Sequence, residues 1–127
     1  MCAAHGVFIV IEKANKHFKK AFNIDLKALL EKQIWEDLID IVNLRNMMVH
    51  NNGRVDEHFK TTTSYQRLKD NIDDKLYRLE EKTVIKYFAS VIEATTIITN
   101  SYLEQYSIYN HTAIANYYFN NNDNVWY

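Results

Sequence analysis

The sequence predicts an all-α fold, a helical bundle of four to five helices with an irregular Asn- and aromatic-rich C-terminal tail. Three observations lead there. Turn residues are scarce: the 127 residues include no proline and two glycines, where average usage would place about six and nine. That scarcity argues against a many-stranded sandwich or a glycine-rich nucleotide cradle and for helices joined by few polar loops. Apolar residues also recur at spacings of three and four over long stretches. Finally, a chain of this length forms one domain and buries roughly two-thirds of its unfolded surface. Residues 1–127 are therefore read as a single domain, with the tail beginning at about residue 110.

Val7, Ile11, Ala14, Phe18 and Phe22 are spaced by four, three, four and four, one apolar face of a helix over about 4–22. Asn23 and Asp25 then supply capping side chains, and Asp25 suits the positive end of a new helix. Leu26, Leu29 and Leu30 follow as a short helix. The next long helix covers about 33–51. Trp35, Ile39 and Val42 form one stripe, which Asn46 and His50 continue on 100° steps. Ile34, Leu38 and Ile41 form a second, which Arg45 continues. Polar groups thus replace apolar ones late on a face that begins as core, an expensive choice unless they are paired. Gly53, after Asn51 and Asn52, supplies a left-handed stop.

Residues 54–64 read as a loop, with Thr61 to Ser64 offering a cap. Tyr65, Leu68, Ile72, Leu76 and Leu79 fit a third helix, which Asn71 to Asp74 is placed to break. The last long helix, about 80–107, carries Val84, Phe88, Val91, Thr95, Ile98 and Tyr102, widened by Ile85 and Ile92. That stripe is expected to serve as core or as a dimer seam. In the tail, Tyr117, Tyr118, Phe119, Trp126 and Tyr127 are expected to pack over the bundle or a second protomer; stacking on unpaired bases is the competing use.

Composition excludes several classes of function. One cysteine, Cys2, rules out a disulfide framework, and no CxxC pair offers a zinc site. The run Val7 to Ile11 is far too short for a membrane span and lacks a cleavage pattern, so a reducing, cytoplasmic setting with no membrane is expected. Net charge is −1, which argues against broad electrostatic binding of nucleic acid. Any such role rests on a local site.

The segment Leu44-Arg45-Asn46-Met47-Met48-Val49-His50-Asn51-Asn52-Gly53-Arg54-Val55-Asp56 offers one. RNA cleavage without a metal starts from a tethered nucleophile, the ribose 2′-hydroxyl. The protein must move protons, which histidine does near neutral pH, and stabilise charge at phosphorus, which a permanently charged guanidinium does. His50, in the last helical turn, is favoured as imidazolium by the helix dipole and so suits a general acid. Asn46, at i−4, is placed to orient the imidazole. Arg45 points roughly 140° away around the axis, an angle its long side chain partly closes. One protomer offers one histidine at this place, and a two-fold dimer would juxtapose two of each residue. The bland account is a solvated helix end with a capping histidine.

This string closely resembles the motif of the HEPN superfamily (higher eukaryotes and prokaryotes nucleotide-binding domains), in which R-N-x-x-x-H precedes N-N-G and a hydrophobic-acidic pair, here Val55-Asp56. The resemblance covers about residues 44–56. It implies a metal-independent endoribonuclease, working as a homodimer in toxin–antitoxin, abortive-infection or other antiviral defence, with RNA as substrate and an antitoxin or regulatory protein as a further partner. Arg45 and His50 would be the catalytic pair and Asn46 the polar residue at the first internal position. In the branch paired with minimal nucleotidyltransferases a tyrosine stands two positions after the histidine. Asn52 occupies that place here, which puts regulation by adenylylation there in doubt. The alternative is a HEPN-like dimerisation module that binds RNA or protein without cutting.

Asn51, Arg54, Lys60 and Arg67 are further candidates for contact with the RNA backbone, against helix termination for Asn51 and solvated surface charge for the others. No metal or other cofactor is expected. Asp56 and His58 make a pair, but His5, His17 and His111 are scattered and no two carboxylates join at ligand spacing. Cys2 lacks a base to activate it.

Overall fold

The structure is a computed structural model that describes the backbone of residues 10–121 and the side chains of residues 10–106. The described chain is mostly helical: α1 (Ile11–Phe22), α2 (Leu26–Leu29), α3 (Lys32–Asn51), α4 (Glu57–Lys60), α5 (Thr63–Leu68) and α6 (Glu81–Asn121). A 3-10 turn (Lys69–Asn71) and a hairpin of β1 (Ile72–Asp73) and β2 (Leu76–Tyr77) stand between α5 and α6. None of these helices is long and apolar enough to cross a membrane. Cys2, His5 and the first part of the expected 4–22 helix lie outside the described residues, as do 122–127 with Trp126 and Tyr127. The side chains of His111, Tyr117, Tyr118 and Phe119 are outside them too.

Local chemistry sets the first boundaries. α1 ends where Asn23 turns left-handed (φ 55°) and gives its N–H to the Lys19 carbonyl. Asp25 caps α2 by accepting from the N–H groups of Lys27 and Ala28, and Asn15 holds the same carboxylate from α1 at 2.9 Å. The bond from Asn15 is the main cause that brings Asp25 below the ordinary carboxylate value. Asn15 in turn accepts the Leu26 N–H at 2.7 Å, fixing α1 against α2.

α3 is the spine, and α6 runs antiparallel along it. Near the start of α3, Ile34 and Trp35 pack with Ile24, Leu26, Leu30 and Ala94, with Phe18, Phe22 and Tyr102 at the edge. Near its end, Leu44 and Met47 pack with Val55, Phe59, Leu68, Tyr77 and Tyr87. Between these apolar clusters lies a polar layer. Asp37 accepts from Ser90 at 2.5 Å and Gln33 at 3.0 Å, and Lys86 pairs with it at 3.2 Å. Asp40 accepts from Ser64 at 2.6 Å and takes a forked guanidinium from Arg67 at 2.6–3.1 Å. Buried carboxylates need such partners, because an unpaired charge away from water is costly.

Three expectations change. The third helix ends at Leu68, and the residues expected to break it form the 3-10 turn and hairpin. The loop expected over 54–64 holds α4, capped by Asp56, whose carboxylate accepts the Phe59 N–H at 2.8 Å. The last helix extends past its expected end at about 107, to Asn121. Counting the two one-turn pieces α2 and α4, the described residues form six helices where four to five are expected.

Candidate functional site

The end of α3 and the chain that leaves it build the site. Asn52 is the left-handed cap (φ 55°) and bonds the Met47 carbonyl; Gly53 follows at φ +80° and reaches the same oxygen at 3.4 Å. Two successive positive φ values turn the chain back sharply. No atom crowds a Cβ built at Gly53, so only its backbone conformation asks for glycine. Asn51 clamps the turn: its amide donates to the Arg54 carbonyl at 2.8 Å, and its own carbonyl accepts the Arg54 N–H at 3.0 Å.

The returning segment is then tied to the hairpin. Val55 donates to the Lys75 carbonyl at 2.7 Å, and Tyr77 donates to the Gly53 carbonyl at 3.2 Å. Burial of Val55 and Phe59 presses α4 onto α3. As a result His58, exposed on α4, lines a narrow crevice together with Asn43, Asn46 and Asp56.

Asn46 is 4% exposed, the buried polar group anticipated on this face. Its Oδ1 accepts from Arg45 Nη1 at 3.0 Å, so the carboxamide holds the guanidinium as well as facing the crevice. Arg45 itself is exposed and, with Ile41, Met48, Val84, Phe88 and Val91, lines an apolar groove of about 400 Å³ between α3 and α6. His50 is half-buried in the last turn of α3, its Nε2 shielded from solvent. Below the groove lies Tyr87. Burial pushes its hydroxyl pKa well above the ordinary value, and the Asp40 carboxylate adds to the shift. Burial also raises Tyr77.

The structure therefore joins Arg45 to Asn46 directly, and His58 lines the same crevice as Asn46. The other candidates fare differently. Arg67 is committed to Asp40, which raises its already high pKa. Lys60 pairs with Glu57 at 3.1 Å in solvent. Asn51 is used in the turn, and Arg54 is exposed beside it, bridged through its backbone to Leu76. Sequence reasoning passed over His58 except as half of a weak metal pair. It also missed Asp37 and Asp40, although positions 37, 40, 44 and 47 repeat at three, four and three, the register of a core face. Among the described residues no group of three His, Cys, Asp or Glu side chains is placed to hold a metal ion. No family model matches the chain, and no curated protein or solved structure matches it.

Proposed function

We propose that the protein is a metal-independent endoribonuclease that cleaves RNA through attack of the ribose 2′-hydroxyl, with its site completed by homodimerisation. The observation that carries this reading is the Arg45–Asn46 hydrogen bond at the end of α3, one turn before His50, with the guanidinium on the lip of the apolar groove. A guanidinium held by a buried carboxamide is preorganised for a phosphoryl group, so little is lost in ordering it at the moment of reaction. His50 protonates the departing 5′-oxygen. A second copy seated on the groove would cover apolar surface and set two Arg45 side chains near one axis. The cellular setting that goes with this reading is a cytoplasmic toxin or antiphage effector, restrained by an antitoxin or regulatory protein.

A second reading, a dimeric module that grips RNA or protein without cutting, is favoured by one feature: the shielding of His50 Nε2 from solvent. The two separate in one experiment. Purified protein is incubated with mixed RNA in excess EDTA, and wild type is compared with His50→Ala. Cleavage to 2′,3′-cyclic phosphate and 5′-hydroxyl ends is expected, falling on the order of 10²- to 10⁴-fold in the variant. Equal cleavage by both removes His50 from the mechanism. Tight binding with unchanged RNA ends, weakened more by Arg45→Ala than by His50→Ala, establishes the binding module.

A further inference from the structure

We infer that His58 is the second proton-transfer group of the site, the general base that takes the 2′-hydroxyl proton, supplied by the same protomer as Arg45, Asn46 and His50. This rests on the endoribonuclease reading and adds a residue to it. Proton traffic at both ends of the reaction requires two proton-transfer groups, and the motif helix offers one histidine. The fold supplies the other. The double left-handed turn at Asn52 and Gly53 reverses the chain, the hairpin fixes it, and Phe59 anchors α4, so that His58 shares a crevice with Asn46. Asn46, which holds the guanidinium, thus has one histidine a helical turn along α3 and shares its crevice with another on α4.

His50, at the negative end of a 20-residue helix, keeps the role of acid, which leaves the base to His58. In the step, neutral His58 accepts the proton of the 2′-hydroxyl while the 2′-oxygen forms a bond to phosphorus. The bond from phosphorus to the 5′-oxygen breaks, and protonated His50 gives its proton to that oxygen. Arg45 spans the phosphoryl oxygens. The charged groups placed with His58 are Asp56 in the crevice and Glu57 and Lys60 on α4. From α5, Tyr65 packs on Phe59, and Arg67 is tied to Asp40.

The test is the pH dependence of kcat/KM for RNA cleavage in wild type, His50→Ala, His58→Ala and a control, His17→Ala, on the exposed face of α1. His58→Ala is expected to lose on the order of 10²- to 10⁴-fold and to lose the low-pH limb, because the group that must be deprotonated is gone. His50→Ala is expected to lose the high-pH limb instead. A substrate whose 5′-oxygen is replaced by sulfur, a leaving group that needs no acid, restores His50→Ala and leaves His58→Ala slow. His58→Gln, which keeps bulk in the crevice, repeats the measurement if the alanine variant unfolds. A His58 variant that retains the low-pH limb, at whatever rate, overturns the inference while a dead His50→Ala keeps the enzyme reading intact. A wild type that cuts no RNA overturns both.

Discussion

Asp37 and Asp40 stand one turn apart on α3 and are 1% and 3% exposed, and their partners decide what the surrounding residues can do. Arg67 shows this most clearly. From sequence it is one of several basic residues beyond the motif, a candidate for RNA or for solvent, because nothing in a single chain shows which carboxylate 27 positions earlier will face it. In the fold its Nε and Nη2 are both given to Asp40. Removing one partner of a buried pair strands the other, which costs about 3–5 kcal/mol. Arg67→Met is therefore expected to lower unfolding free energy by about that much in urea titration. The double variant Asp40→Leu with Arg67→Met should recover a large part, since no charge is left stranded. A single variant as stable as wild type, with RNA affinity lost, would return Arg67 to the surface role. The motif residues were more legible than Arg67: the burial of Asn46 follows from its position on the stripe that Trp35 begins.

At the scale of elements, the long helices α1, α3 and α6 and the capped turn at Asp25 were legible because each is governed by near neighbours in sequence. The stretch after Leu68 was not. Tyr65, Leu68, Ile72, Leu76 and Leu79 satisfy helical spacing, yet Ile72 pairs with Tyr77 and Asp73 with Leu76 across a two-residue turn. Asp74 and Lys75 both have positive φ, 46° and 66°, the form of tight hairpin turn that follows strand twist. Lysine pays for a conformation that glycine takes without penalty. Lys75→Gly is expected to stabilise the protein by about 1 kcal/mol, raising Tm by roughly 3–5 °C in a calorimetric scan. The Lys75 carbonyl still receives Val55, so the path that places α4 and His58 is preserved. A fall in Tm would mean that the turn holds a different backbone in solution.

For the molecule as a whole, α6 presents two faces. Tyr87, Ser90 and Ala94 are buried against α3, while Ile85, Phe88 and Ile92, spaced by three and four, are 61%, 66% and 63% exposed. The stripe expected from Val84 to Tyr102 is therefore divided. Its far end, at Ile98 and Tyr102, joins the core, and its near end, at Phe88 and Val91, lies open beside Arg45. Hydrophobicity alone could not divide it, because a core face and a contact face are written in the same residues. Large exposed apolar patches mark contact sites, and in a two-fold assembly each substitution counts twice. Phe88→Glu would put a carboxylate from each protomer near the axis and withdraw two large aromatic surfaces from the contact. Wild type is expected to sediment as a dimer at micromolar concentration and Phe88→Glu as a helical monomer. If paired Arg45 side chains are needed at phosphorus, cleavage falls with the dimer even though His50 and His58 remain together in each chain. A monomer that cleaves at the wild-type rate would place the whole site within one protomer and leave the apolar face to another partner.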